Sequence, residues 1–336
     1  MFERVFKLSE HKTTVKTEVM AGITTFMTMA YILAVNPSVL GSTGMDTTAV
    51  LLATALASCL GTLCMAFMAN LPFALSAGMG LNAFMAYTVV AGYGYSWQVA
   101  LLAVFIEGLI FIVLSLTNIR EAIFNAIPLT LKKGVSVGIG LFIAFIGLQN
   151  SGLCVDSATL VGIISFPENF HTAGICALLT LIGLFFTAVF YTRKMKGAIL
   201  YGILLTWILG MLCQVTGLYV PTPDAGFYSL FPSWGMTDFS KLGLTFGQCF
   251  NVDFSAVGIV NFIVVIFSFL FVDIFDTLGT LIGVATKAKM LDKDGKLPGI
   301  KPALLADSIA TSAGAILGTS TTTTFVESAS GVAVGG

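Results

Sequence analysis

The sequence predicts an all-α membrane protein that crosses the bilayer several times. Of its 336 residues, 57% are hydrophobic and only 10% are charged, and the mean hydropathy is +0.96. A soluble domain carries about 25% charged residues, because its surface must be hydrated. The apolar runs are long and continuous, whereas the strands of an outer-membrane barrel alternate apolar and polar residues. A water-soluble protein, a disordered chain and a β-barrel are therefore excluded.

The composition also limits the chemistry. The net charge is −1 and the chain has no basic tract, which excludes nucleic-acid binding. The six cysteines form no CxxC pair, and both histidines, His11 and His171, lie at the ends of apolar runs. We therefore expect no metal site, no cofactor and no histidine relay within the membrane.

The apolar runs, and the residues that interrupt them, predict nine complete spans. A tenth apolar run begins near Thr319 and reaches Gly336. All sixteen Lys and Arg residues except Lys241 fall before span 1 or in the connections 4–5, 6–7 and 8–9. Because cytoplasmic loops are enriched in basic residues, we place the N-terminus in the cytoplasm. The predicted spans are Val19–Leu40, Thr48–Ala69, Leu71–Gly92, Trp97–Thr117, Gly134–Ser151, Ala173–Tyr191, Ala198–Leu218, Val257–Ala285 and Pro302–Leu317.

Two short segments outside these spans predict helices that lie on the inner membrane surface. In each segment three apolar residues share one helical face. They are Phe2, Val5 and Phe6 before span 1, and Ile119, Ile123 and Ile127 between spans 4 and 5.

Five carboxyl groups lie inside apolar runs, and no Lys or Arg lies inside a span to neutralise them. An ionised carboxylate at the bilayer centre costs at least about 2.5–3.5 kcal/mol on insertion scales. These groups must therefore face protein or water, accept hydrogen bonds, or carry a proton. For Glu107 and Asp307 a structural hydrogen bond between helices is an alternative interpretation. The five acids are Glu107, Asp273, Asp276, Asp307 and Glu327.

Span 8 is the richest of these segments. Asp273, Asp276 and Thr280 stand at positions i, i+3 and i+7, which places them on one helical face, with Thr277 beside them. A stripe of two acids and two threonines inside a span predicts a functional surface rather than a packing contact.

Spans 3 and 10 are both predicted to be interrupted. Span 10 opens with four consecutive threonines, 321–324, which favour an extended backbone, and Glu327 follows where a half-helix can start. Span 3 contains Pro72, then two glycines and the intramembrane Asn82. Non-helical backbone at membrane depth is tolerated only where it lines a cavity or is buried in protein.

The two interrupted spans occupy corresponding places in the chain. Gly61 and Gly314 are 253 positions apart, and so are Gly78 and Gly331. Interrupted hydrophobic segments in matching positions are typical of the midplane binding site of a transporter. Half-helix N-termini and free backbone amides there can bind a planar, hydrogen-bonding solute.

Four stretches of the sequence resemble one known family: Ala21–Tyr31, Gly78–Phe84, Asp276–Thr280 and Glu327–Val332. They are similar to the azaguanine/hypoxanthine-type (AzgA-like) purine permeases, a branch of the nucleobase:cation symporters with the uracil-permease fold. The resemblance extends along the whole chain, and the four motifs occur in the right order.

The resemblance implies fourteen spans in two inverted repeats of seven, with a core domain of spans 1–4 and 8–11 and a gate domain of spans 5–7 and 12–14. The chain would then comprise a cytoplasmic segment 1–18, a first repeat 19–218, an exterior connection 219–256 and an incomplete second repeat 257–336. Because Gly336 falls within span 10, we interpret the sequence as truncated there. The expected function is that of the intact relative.

That function is proton-coupled uptake of adenine, guanine or hypoxanthine across the cytoplasmic membrane by an elevator-like alternating access. The resemblance implies that Asp276 and Glu327 bind the base and couple H⁺, with Asn82 as the polar contact from span 3. Thr280 stands where uracil-type relatives can have a histidine. Proton coupling would therefore depend on carboxylates, with Asp273 and Asp307 as further candidates.

Aromatic side chains near the interruptions are candidates for stacking on a flat heterocycle, although packing against lipid or core is the alternative for each. They are Phe73, Phe84 and Phe275.

Two other functions are compatible with a membrane-embedded chain. The same architecture could carry another nucleobase or a small anion, but acids without an intramembrane Lys or Arg argue against an anion. A membrane-embedded aspartyl protease needs two Asp on different helices, whereas Asp273 and Asp276 share one and no Gly-x-Gly-Asp occurs. The sequence leaves open which purine is preferred, whether H⁺ or Na⁺ is coupled, and whether the protein is a homodimer.

Overall fold

A computed structural model of the chain describes residues 2–11, 13–117, 119–126, 128–157, 160–193, 195, 198–223, 226–232, 235, 237–254, 257–292 and 297–336. These residues are mostly helical, with four short strands. Six of the described helices are long and apolar enough to cross a membrane, which confirms the predicted class of a polytopic helical membrane protein.

The helices and strands of the described residues are numbered along the chain. The helices are α1 (Phe2–Phe6), α2 (Val15–Met29), α3 (Ile32–Gly41), α4 (Thr47–Cys64), α5 (Met79–Ala83), α6 (Trp97–Leu116), α7 (Ile119–Ala126), α8 (Leu129–Asn150), α9 (Ile175–Thr192), α10 (Ala198–Val215), α11 (Ile259–Lys287), α12 (Ile300–Leu317) and α13 (Ser328–Val334). The strands are β1 (Leu75–Ala77), β2 (Cys154–Ser157), β3 (Leu160–Ile163) and β4 (Thr322–Thr324).

Each predicted span coincides with a helix or an interrupted helix. Helix α4 continues into a π-helical turn, Met65–Ala69, and α5 continues into another, Phe84–Gly92. The two predicted surface segments form α1 and α7, although Ile127 lies outside the described residues. Polar side chains define several helix starts: Thr14 caps α2, Asp46 caps α4 and Ser96 caps α6, each accepting a hydrogen bond from a backbone N–H of the first turn.

The first predicted span is confirmed as one segment, Val15–Gly41, but it contains a break that the sequence analysis did not predict. The hydrogen-bond ladder is interrupted at Ala30–Tyr31, where the Leu33 N–H bonds to the carbonyl of Ala30, three residues back. Pro37, one turn further on, lies inside α3 and cannot donate a backbone hydrogen bond. The span therefore consists of α2 and α3, with Tyr31 at the break between them.

The chain forms two compact units, one of residues 1–137 with 237–336, the other of residues 138–236. In the first unit α12 packs against both α4 and α6. A Cβ atom on Gly61 would lie 2.8 Å from Ala310 Cβ, and one on Gly108 would lie 2.8 Å from the Ser312 backbone nitrogen. Glycine at these two positions therefore allows the close helix approach that membrane interiors favour.

The second unit contains most of α8, the hairpin of β2 and β3, and the paired helices α9 and α10. The two strands are antiparallel, with Cys154 opposite Ile163 and Ser157 opposite Leu160. The sequence analysis did not predict this hairpin. Its strands are only four residues long, too short for a clear alternating pattern.

The two glycine pairs with the same spacing differ in their structural positions. Helices α4 and α12 each have 18 residues and start 253 positions apart, so Gly61 and Gly314 occupy the same position within their helices. Gly78 precedes α5, whereas Gly331 lies inside α13. Ten residues separate α4 from β1 and four separate α12 from β4, so the offset of 253 residues does not continue beyond these two helices.

Candidate functional site

The two interrupted spans meet through their extended segments. Strands β1 and β4 pair antiparallel, with Ser76 opposite Thr323 at the centre. Two further bonds extend the pairing, from the Gly78 N–H to the carbonyl of Thr321 (2.9 Å) and from the Phe325 N–H to that of Ala74 (2.9 Å). Both strands are fully buried. The expectation that non-helical backbone at this depth is buried in protein is therefore confirmed, since the two strands satisfy each other.

Neighbouring helices hold this crossing in place through hydroxyl groups. Ser58 of α4 bonds to Ser76 (2.6 Å), and Thr62 of α4 accepts from the Leu75 N–H (3.0 Å). Thr311 of α12 donates to the carbonyl of Thr322 (2.9 Å). The serines and threonines thus replace the hydrogen bonds that a continuous helix would make within itself.

Asp276 lies beside the crossing. A Cβ atom built on Gly78, the residue that precedes α5, would be 3.2 Å from Asp276 Oδ2 and 3.0 Å from Thr323 Cγ2. The Asp276 side chain is half-buried and lies within electrostatic range of Asp307 and Glu327. Two of the predicted site acids, one from span 8 and one from span 10, are therefore close enough to interact electrostatically.

Glu327 has a partner that the sequence analysis missed. The Tyr31 hydroxyl donates a hydrogen bond of 2.6 Å to Glu327 Oε1, and Tyr31 is also within electrostatic range of Asp276. Glu327 immediately precedes α13, where its half-buried side chain makes no capping bond to the helix. The signal that could have identified Tyr31 is a tyrosine hydroxyl in the middle of an apolar run.

Thr277 connects the other two predicted acids. Its Oγ1 lies 3.2 Å from Asp273 Oδ1, 3.3 Å from Asp307 Oδ2 and 2.9 Å from Thr323 Oγ1. Asp273, Asp307 and Thr277 are almost completely buried. A single hydroxyl carries one proton, so it cannot donate to both carboxyl groups at once. Asp273 and Asp307 therefore form an acid pair around Thr277, which joins them to strand β4.

Asn82 and Thr280 are both buried. Asn82 Oδ1 accepts a hydrogen bond from the Ser320 hydroxyl, while its Nδ2 has no hydrogen-bond partner among the described residues. The polar side chain expected from span 3 therefore bonds to Ser320, in the segment before β4. Close by along the chain, Thr321 of the non-helical segment before β4 donates to Glu107 Oε2 of α6 (3.0 Å), which gives Glu107 the packing hydrogen bond that was its alternative interpretation.

The candidate aromatic residues lie in different surroundings. Phe73 is buried in an apolar cluster with Leu75 and Leu281. Phe275 is half-buried and its ring meets that of Phe271 edge-on, with centroids 4.8 Å apart. Phe84 makes a similar contact with Phe269, at 4.9 Å.

A cavity of about 420 Å³ lies between α2, α4, the segment before β1, and α13. It is largely apolar, and its lining includes Phe73, Ser58, Thr25 and Gly331, but not Asp276. Cavity volume alone therefore does not identify the site, because none of the four candidate acids Asp273, Asp276, Asp307 and Glu327 lines this cavity.

The arrangement can accept hydrogen bonds from a neutral donor and can hold protons. The four acids are Asp273, Asp276, Asp307 and Glu327. A site of this kind favours a solute with N–H groups over an anion, because like charges in a low-dielectric environment repel strongly.

Comparison with known proteins gives consistent matches along the chain. The profile of a family described as the Permease family matches residues 16–336. A putative permease of Methanocaldococcus jannaschii is 48% identical over 99% of this chain and 72% of its own length. The guanine/hypoxanthine permease PbuG of Bacillus subtilis is 46% identical (98% and 72%). The adenine permease AdeP of Escherichia coli is 42% identical (100% and 71%).

Proposed function

This chain belongs to the permease family, and we propose that it carries a purine nucleobase, namely adenine, guanine or hypoxanthine, into the cell. Membership of that family makes the protein a transporter rather than an enzyme. The observation that carries the proposal is the position of Asp276 beside the crossing of β1 and β4, within electrostatic range of Glu327. Relatives whose names specify adenine or guanine and hypoxanthine support the choice of substrate.

The chemistry of a purine fits these two acids. A purine offers N–H donors at the edge of a flat ring, and carboxylate oxygens are strong acceptors for them. Asp276 and Glu327 approach from different segments, so together they can bind two points on one edge of the ring. In the proposal Asn82 and Thr280 contribute polar contacts and Phe275 and Phe73 contribute apolar surface.

Proton coupling is assigned to the carboxyl groups. Asp273 and Asp307 share the single Thr277 hydroxyl, and a proton on this pair relieves the repulsion that two buried negative charges would create. Thr277 also bonds to Thr323 in β4, which links the pair to the strand crossing next to Asp276. Loading of H⁺ and binding of the base are thereby connected through one hydroxyl, with Asp276 and Glu327 as the acids that contact the substrate.

Alternating access is proposed to use an inverted repeat. Helices α4 and α12 have equal length, and both lead into a strand and a half-helix. Antiparallel pairing of β1 with β4 is the arrangement expected of two segments related by a two-fold axis in the membrane plane. The first unit is the proposed core, which carries the substrate, and residues 138–236 belong to the proposed gate. The protein is placed in the cytoplasmic membrane with its N-terminus inside the cell.

The test is uptake of radiolabelled hypoxanthine, guanine and adenine by cells that lack their own purine permeases and express the complete gene product. Asp276→Asn and Glu327→Gln should abolish uptake while leaving the amount of protein in the membrane unchanged. Asp238→Asn, in an exposed turn outside the spans, is the matched control and should transport normally. Normal uptake in both site variants would defeat the site assignment.

The same cells separate the remaining alternatives. Excess unlabelled uracil or xanthine should not compete with purine uptake; strong competition would favour a broader nucleobase carrier on the same fold. A protonophore should stop accumulation, whereas replacement of Na⁺ by choline should leave it unchanged. The opposite result would assign the coupling to Na⁺.

A further inference from the structure

Tyr31 occupies an unusual position in the first unit. It lies at the break between α2 and α3, and its half-buried ring packs on the cluster that contains Phe325, the residue that follows β4. The ring is therefore held against the segment that leads to Glu327. A tyrosine combines an apolar ring with one polar atom, so a ring fixed in this way delivers its hydroxyl to a defined place.

Helices α2 and α13 are joined along their length. A Cβ atom on Gly331 would collide with the Thr25 hydroxyl, so the two backbones are in close contact there. Thr28 bonds to Ser330 (2.8 Å), and Tyr31 bonds to Glu327 (2.6 Å). The residues on the α2 side of these contacts are Thr25, Thr28 and Tyr31, which are three positions apart, about one helical turn. Only the last contact of this row involves a charged group.

The last contact constrains the Glu327 carboxyl group. An O–H···O bond of 2.6 Å lies in the range of a charge-assisted bond from a hydroxyl to a carboxylate. Among the described residues, Tyr31 is the side chain that hydrogen-bonds this carboxyl group, which also interacts with the backbone of Glu327 itself. With Oε1 held by Tyr31, Oε2 keeps a lone pair with which to accept a bond from a ligand.

We propose that Tyr31 is a positioning residue of the purine site, which holds Oε1 of Glu327 so that Oε2 faces a ring N–H of the substrate. The inference rests on the proposed function and extends it, because it names the group that orients the second acid. Tyr31 need not touch the purine itself. It acts by preorganising an acceptor that would otherwise have more rotational freedom to lose on binding.

The experiment measures the kinetics of hypoxanthine uptake with Tyr31→Phe in the complete gene product. The variant removes one oxygen atom and keeps the ring. We expect KM to rise by about tenfold or more, the range for a lost hydrogen bond to a charged group, while the maximal rate changes less. Tyr87→Phe, whose side chain is 57% exposed, is the matched control and should keep the wild-type KM.

Thr28→Val separates positioning from simple packing. It removes the neighbouring bond between α2 and α13 without touching the Glu327 side chain. Both variants should lower the melting temperature of the purified protein to a similar extent, but only Tyr31→Phe should raise KM. Equal effects of the two variants on KM, or no effect of either, would show that Tyr31 only packs the helices together.

Two further outcomes are distinguishable. If the wild type takes up no purine, the proposed function fails and the inference fails with it. If the wild type transports and Tyr31→Phe keeps its KM, the inference alone is overturned. Should Tyr31→Phe fail to reach the membrane, 3-fluorotyrosine at position 31 keeps the shape and the donor; a KM at or below the wild-type value supports the proposal, and a raised KM contradicts it.

Discussion

Gly78 and Asp276 are so close that a Cβ atom on residue 78 would lie 3.2 Å from the Asp276 carboxyl oxygen Oδ2. The missing side chain at the start of α5 is what leaves room for this acid beside the strand crossing. The position of the Asp276 carboxyl group therefore depends on a glycine almost 200 positions earlier in the chain. Gly78 has a φ of −68°, which any residue could adopt. Space, rather than backbone conformation, requires glycine here.

Gly78→Ala should therefore weaken purine binding without unfolding the protein. The added methyl group would displace Asp276 or Thr323 by a few tenths of an ångström, and we expect KM to rise by about tenfold, since binding groups must be held to within about 0.5 Å. Uptake kinetics provide the measurement. Gly134→Ala is the control, because a Cβ atom there meets nothing within 4 Å. A wild-type KM in Gly78→Ala would show that Asp276 tolerates displacement.

Thr277→Val should strongly reduce transport. The substitution keeps the shape of the side chain but removes the hydroxyl that Asp273, Asp307 and Thr323 share, and each bond to a charged group is worth about 1.5–3 kcal/mol. Proton-driven accumulation of hypoxanthine should fall at least tenfold, while Thr277→Ser should restore it.

The control for Thr277 lies on the same helix. Thr286 donates only to the carbonyl of Ile282 in its own helix, so Thr286→Val should accumulate hypoxanthine as the wild type does. If Thr277→Val accumulates substrate normally, the buried acid pair has no part in coupling.

Gly108→Val should destabilise the first unit. Any side chain at position 108 would collide with the Ser312 hydroxyl and backbone, at the contact between α6 and α12. Overpacking of a tightly packed contact costs about 1–3 kcal/mol or more. Thermal unfolding of the purified protein in detergent should show a clear drop in melting temperature. Gly138→Ala, where a Cβ atom has open space, should show none.

The surroundings of Asp46, which precedes α4, predict that the stability of the folded protein depends on pH. The backbone N–H of Ala49 bonds to its carboxylate (2.9 Å), and the Lys241 ammonium group lies 3.2 Å away. The hydrogen bond from Ala49, together with the smaller effect of Lys241, holds the pKa of Asp46 below its usual value. This stabilisation is complete above the unfolded pKa of about 3.9 and is lost as the pH falls through the lower folded pKa.

Asp46→Asn isolates that contribution, because asparagine keeps the helix cap but carries no charge. Melting temperatures from pH 6 down to pH 3 should fall more steeply in the wild type than in the variant. Identical slopes would show that Asp46 titrates in the folded protein as it does in the unfolded chain.

The orientation of the chain can be tested with single cysteines in a variant whose six native cysteines are replaced. Ser240→Cys, on the same side as Lys241, should react with a membrane-impermeant maleimide in intact cells, because the side with few basic residues is expected outside. Glu10→Cys should react only after the membrane is opened. Both positions are exposed, so the contrast reports on sidedness.

Much of this architecture was predicted from the sequence because its determinants are local. Hydropathy located the spans, and the threonine run and Pro72 predicted the two interruptions that the structure contains. The family assigned from four motifs is confirmed by the profile match over residues 16–336. The lengths of the segments after Gly61 and Gly314 could not be predicted, because a π-helical turn after α4 adds residues that no periodicity reveals.

The sequence by itself determined that this protein lies in a membrane, where its spans fall and which of its acids are out of place there. Those properties follow from the free energy of transferring each segment from water to lipid. Only the tertiary structure decided which hydroxyl groups the acids share: Asp273 and Asp307 both contact Thr277, and Glu327 accepts a hydrogen bond from Tyr31. Such pairings depend on how helices distant in sequence cross, which is set by close contacts such as those of Gly61 and Gly108.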